Sequence, residues 1–172
     1  MKNLYLSAVV AAITVTSCGT VQSIVQNTVP YTTSVLVSSG SSASEEYSTT
    51  SSATSFAQYI GAGTDMVKNI RVISAKATAS SKSVNPDLGI FKSIKIYLSG
   101  NNTNEVLVAE RTDIGDNLGK TINLDPDMSK ELDEIVKTGS VKARTVYVLK
   151  NKANNDTNLT ITMRFTSDPI KK

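Results

Sequence analysis

The side chains able to do chemistry are few. The first is Cys18, the single cysteine of a 172-residue chain that has no histidine and no tryptophan. A thiolate is a nucleophile and a metal ligand, and an imidazole is the ordinary general base near neutral pH. With no histidine to pair with Cys18 or to activate a serine, the common nucleophilic constellations lack their central member. What remains is oxygen chemistry. Asp125, Asp127, Ser129 and Glu131 alternate as calcium-loop ligands do, but Lys130 stands where such a loop needs its glycine and Val136 where it needs its bidentate Glu. A capped helix accounts better for that run. Asp113 and Asp116 share a glycine-containing loop, a pattern that suits a turn more than a metal site. Glu105, Glu110 and Asp113 are the candidates for a glycosidase pair, which needs two acids flanking a sugar groove, usually with aromatic platforms. Three Phe and six Tyr supply little of that. The expectation is a protein that is not an enzyme, with no catalytic residue, no metal and no cofactor.

Cys18 is placed by what precedes it. Met1 and Lys2 form a short positive start, and Leu4 to Ile13 is apolar with Ser7 as its one clearly polar interruption, the layout of a secretory signal. Spanning a bilayer needs about 20 apolar residues, and this run is shorter and ends in Thr and Ser. Val15, Thr16, Ser17 and Cys18 resemble the bacterial lipobox, in which an aliphatic residue and two small ones precede a cysteine; Val15 stands where Leu is commonest. The resemblance covers the first 18 residues. It implies recognition of Val15, Thr16 and Ser17 by the lipoprotein signal peptidase, cleavage before Cys18, and lipid attachment to the Cys18 sulfur. Gly19 is not the Asp that resembles an inner-membrane retention signal in enteric bacteria, so the outer membrane is the expected destination. Two or three acyl chains, at about 0.8 kcal/mol per buried methylene, hold a protein to a membrane almost permanently.

The elements after Cys18 are those that must carry any binding surface. The formal net charge is +3, with acids interspersed among the bases, which argues against a nucleic-acid partner. Residues 1–17 are expected to be the signal peptide, residues 18–55 a lipidated N-terminus and Ser/Thr-rich tether, and residues 56–172 the folded domain. Ser38 to Ser55 has almost no aliphatic content, so it reads as a spacer. Tyr31 to Val37, after Pro30, is a possible edge strand that would instead make the tract a surface loop. From Met66 to Ala79 an imperfect alternation predicts a strand with a bulge near Ile73. Residues 93–111 read as a hairpin with a loop of about five residues. Thr121 to Leu124 is a short strand, and Asp125 and Pro126 open a short helix near 126–137 that Gly139 stops. Two more alternating runs, Val141 to Lys150 and Leu159 to Phe165, read as a second hairpin.

Six or seven short strands with turn signals between them predict an all-β fold, an antiparallel immunoglobulin-like sandwich with one short helix. Asn101, Asn155 and Asn158 begin N-x-[ST] triplets that carry no weight under a bacterial lipobox. The functional expectation is an envelope lipoprotein, bound to membrane lipid through acylated Cys18, that acts as a structural or protein-interaction module with a protein partner in the envelope. The alternative is a surface glycan- or ligand-binding accessory lipoprotein.

Overall fold

The computed structural model describes residues 25–26, 30–60, 64–81 and 85–170. Cys18 and the residues before it, with the expectations that rest on them, lie outside this set. Among the described residues ten strands, all paired antiparallel, make the framework: β1 (Val25–Gln26), β2 (Tyr31–Val37), β3 (Glu46–Thr50), β4 (Thr54–Ser55), β5 (Val67–Ser80), β6 (Phe91–Gly100), β7 (Val106–Arg111), β8 (Thr121–Pro126), β9 (Ser140–Leu149) and β10 (Thr157–Pro169). Two short helices, α1 (Ala57–Ile60) and α2 (Asp133–Lys137), complete it. The chain is all-β, as expected.

The pairing order is β2-β10-β5-β8 in one half and β3-β9-β6-β7 in the other, with β1 sharing the β10 edge and β4 sharing the β9 edge. Counting β1 with β2 and β4 with β3, the strands run first, eighth, third, sixth in one sheet and second, seventh, fourth, fifth in the other. That connectivity is a jelly roll, a sandwich of two Greek keys. An immunoglobulin domain instead keeps its first, second, fifth and fourth strands together, so the expected immunoglobulin-like order is not the one the pairing gives. Strand β8 links the halves. Its residues Thr121 to Leu124 pair with β5, and Asp125 and Pro126 then pair with Glu110 and Ala109 of β7, so the whole is nearly a closed barrel.

Alternation explains the core. β2 buries Tyr31, Thr33, Val35 and Val37 and exposes the residues between them; β10 buries Leu159, Ile161, Met163 and Phe165 from the neighbouring strand. The inward residues of both sheets join in one cluster, completed at one end by Phe56, whose ring meets Phe165 edge-on at 4.7 Å and Tyr31 at 6.1 Å. The bulge near Ile73 is present: Phe165 faces Val72 and Arg164 faces Ser74, leaving Ile73 as the extra residue. A second irregularity follows, where Thr166 faces Arg71 and Asp168 faces Lys68. Asn69 sits there with φ +54°, and the Asp133 carboxylate accepts hydrogen bonds from the N–H groups of Asn69 (3.0 Å) and Ile70 (2.9 Å) that the ladder no longer satisfies.

Three expectations are corrected. The Ser/Thr tract is built into the domain. β2, the possible edge strand, is a strand of the sandwich, and Glu46–Thr50 pairs with β9, so within the stretch expected to be a tether residues 31–37 and 46–50 are paired strands. An edge strand needs backbone partners more than apolar side chains. Here one inward ring, Tyr47 stacked on Tyr147 at 5.3 Å, suffices, and Ser51 Oγ accepts the Ala143 N–H at 3.0 Å. The helix is Asp133–Lys137 rather than 126–137, because Asp125 and Pro126 belong to β8 and Asp127 closes a turn by accepting the Ser129 N–H. Finally, β9 and β10 are not a hairpin. Both edges of each are already occupied, β9 by β3/β4 and β6, β10 by β1/β2 and β5, so the connection crosses from one sheet to the other.

Candidate functional site at the four-loop end

Jelly-roll connectivity sorts the loops. Residues 38–45, 85–90, 112–120 and 150–156 lie at one end of the sandwich; residues 51–60, 64–66, 101–105 and 127–139 lie at the other, with β1 and the end of β10. The first group forms one hydrogen-bonded surface. Gly40 N–H donates to Ala153 O (2.7 Å) and Ala153 N–H to Ser41 O (3.0 Å), joining the 38–45 and 150–156 loops. Asp87 joins two more: its Oδ1 accepts the N–H of Gly89 and of Gly119, each at 2.9 Å, while Leu88 N–H donates to Gly119 O (2.8 Å). Lys150 ties the last pair through its N–H to Ile90 O (2.7 Å) and its ammonium to Asp116 (2.7 Å). Gly89 is required at this junction, since a Cβ there would stand 2.8 Å from the backbone nitrogen of Asn117.

Between the 85–90 and 150–157 segments runs an open groove of about 420 Å³. Asn85, Asn151, Asn154 and Asn155 offer amides to it, Lys152 a cation and Ile90 an apolar wall. All four asparagines and Lys152 are exposed. Amides donate and accept at once, so such a lining suits neutral hydroxyl- or amide-bearing ligands better than a bare ion. Nearby, the Ser39 N–H bonds Asp156 Oδ1 at 2.7 Å and holds that carboxyl below the usual aspartate range.

A larger groove of about 580 Å³ opens at the other end, beside Asn102, Thr103, Asn104, Glu131, Asp133 and Glu134. Two of its three acids serve the fold. Glu131 pairs with Arg71, and Asp133 carries the two backbone N–H groups of β5. The outer face of the β9 sheet carries a third cluster. Arg144 lies 4.4 Å over the Tyr97 ring and clamps Glu105 with Nε at 2.9 and 3.0 Å and Nη2 at 2.6 Å. Those bonds hold the Glu105 carboxyl below its ordinary value and raise the Arg144 guanidinium.

The acids singled out from sequence are thus dispersed. Asp125 pairs with Arg111, Asp127 with Ser129, and Glu131 with Arg71, so the alternating run is spent on structure. Glu105 and Asp113 flank β7 at opposite ends of the sandwich and do not face one another across a cleft. Among the described residues no three Asp, Glu, Cys or His side chains come together as a metal site, and no helix is long and apolar enough to cross a membrane. The groove residues were legible only as a polar turn. Asn151 to Asn155 are contiguous, but nothing local brings Asn85 beside them; the sheet crossing from β9 to β10 does that. No protein-family model matches the chain, and no curated protein matches it.

Proposed function

We propose that the chain is an envelope lipoprotein, anchored through acylated Cys18 and more at home in the outer than the inner membrane, that works as a non-catalytic structural or protein-interaction module. One observation carries the reading: Val15, Thr16, Ser17 and Cys18 close an apolar run a few residues before β1 begins. Of Glu105, Glu110 and Asp113, the candidates for a catalytic pair, Glu105 is clamped by Arg144 and lies beyond the opposite end of β7 from Asp113, which favours a binding role over a hydrolytic one. The jelly-roll architecture is compatible with both, since fold alone does not fix function. Wild type labelled with radioactive palmitate, compared with Cys18→Ala by intact mass and membrane partitioning, tests the anchor. Unchanged mass and partitioning on substitution reject it.

The amide-lined groove favours a second reading, a surface glycan- or ligand-binding accessory lipoprotein. Titration of envelope polysaccharide fragments against wild type and an Asn151→Ala/Asn154→Ala variant separates the two. Saturable binding lost in the variant supports the second reading, and no binding by wild type leaves the protein-partner reading ahead.

A further inference from the structure

We propose that the sandwich stands end-on to the bilayer, with Met66 and Ile170 at headgroup level and the four-loop end turned away from the lipid. The inference rests on lipidation at Cys18 and adds to it an orientation and a membrane-contacting surface. Chain length sets the first constraint. β1 begins at Val25, seven positions after Cys18, and an extended chain of that length reaches at most about 25 Å. β1 pairs with Thr166 and Ser167, near the end of β10, whereas the four-loop end begins at Thr157. The thirteen residues of β10 span about 40 Å, so an anchor tied at that end cannot bring an upright domain's other end to the membrane.

Surface chemistry decides between standing and lying flat. At the β1 end Met66 is 58%, Met128 58% and Ile170 42% exposed. Met66 and Ile170 are neighbours, Ile170 N–H donating to Met66 O at 2.9 Å. The broad outer face of the β10 sheet, which a flat-lying domain would press on lipid, instead carries a row of hydroxyls across four strands: Ser34, Thr160, Thr78 and Thr121. Hydroxyls gain nothing from the acyl boundary, while Met and Ile do. Of the two other large exposed aliphatics among the described residues, Leu36 lies on that outer face at the four-loop end of β2, and Leu118, in the 112–120 loop of the same end, serves as the control.

The absence of tryptophan makes the test clean, because one introduced indole is the sole emitter at long excitation wavelength. Met66→Trp, Thr160→Trp and Leu118→Trp are each expressed from the full-length gene, purified from membranes and reconstituted in phosphatidylethanolamine–phosphatidylglycerol vesicles containing a phospholipid brominated near its headgroup. Circular dichroism checks each fold. Intact mass reports on lipidation separately; if the Cys18 thiol is unmodified, the anchoring reading fails, and coupling that thiol to a maleimide phospholipid still supplies the tether for the orientation test. The expected result is that Met66→Trp loses about half its emission to the bromines while the other two are unchanged. Quenching of Thr160→Trp equal to that of Met66→Trp, quenching of Leu118→Trp, or no quenching at any position overturns the proposal.

Discussion

Deleting residues before Phe56 distinguishes a tethered domain from one whose first strands are structural. The lost segment contains β2 and β3. Tyr31, Val35 and Val37 are no more than 2% exposed, and each fully buried side chain of this size contributes about 1.5–3 kcal/mol, or about 5–9 kcal/mol for the three. Removing β2 also uncovers one side of Leu159, Ile161 and Met163, all fully buried, and frees the backbone groups of Thr157 to Met163 that pair with it. Domains of this size are stable by about 5–15 kcal/mol in total, so a chain beginning at Phe56 is expected to lose cooperative folding. Urea unfolding followed by circular dichroism, with size-exclusion chromatography, measures this. A subtler perturbation is Val35→Asp in the intact chain, which places a charge at a 2% exposed position and is expected to shift the urea midpoint strongly downward. Protease nicking within 38–45 completes the set: the fragments are expected to stay associated, since β2 is held by β10 and β3 by β9. If the chain from Phe56 unfolds at the same urea midpoint as the intact protein, the reasoning that makes β2 structural is wrong.

Asp133→Ala removes the acceptor for the Asn69 and Ile70 N–H groups and is expected to cost about 2–3 kcal/mol in urea unfolding, with Asp133→Asn losing less because it retains one acceptor oxygen. Thr145 is 1% exposed with its hydroxyl unpartnered among the described residues, so Thr145→Val is expected to be neutral or to stabilise by about 1 kcal/mol in a thermal melt. Glu105 and Asp156 have folded-state values below their ordinary 4.5 and 3.8, held down by Arg144 and by the Ser39 N–H respectively. Their contribution is therefore complete above those ordinary values and is lost as pH falls through the lower folded ones; Glu105→Gln is expected to flatten the acid limb of a stability-versus-pH profile, and an unchanged limb would exclude this pair as its source.

Much of the fold was legible because side-chain alternation is local. The β6–β7 hairpin, the five-residue turn between them and the bulge at Ile73 follow from patterns within a few residues. What was not legible depends on partners distant in sequence. The run from Val141 through Phe165 has the alternation of a hairpin, yet its halves lie in different sheets, because strand pattern states which face is buried and not which neighbour is taken. The Ser/Thr tract misled for the same reason: hydroxyl side chains promise little burial, but β3 is held through backbone pairing and through Ser51. At 125–137, acids and a Pro suggested a helix start, and pairing of Asp125 and Pro126 with β7 prevailed over that local signal. The acids themselves were visible, but their guanidinium partners were not, since Arg71, Arg111 and Arg144 are 14 to 60 positions away from the acids they meet.

The same crossing that defeated local reading also produces the candidate site. Were β9 and β10 a hairpin, residues 150–156 would be an isolated tip; because the chain passes between sheets there, that loop is pressed against 38–45 and 85–90 and held by Gly40, Ala153, Lys150 and Ile90. Four asparagines thereby line a groove whose walls are fixed by backbone bonds, while the outward amides stay exposed. Rigid walls with exposed donors and acceptors lower the ordering cost of binding, which is the condition under which a polar loop surface becomes a recognition surface. If the domain is anchored through Cys18 and stands end-on, this surface is the part of the described structure farthest from the lipid and the one most open to a partner.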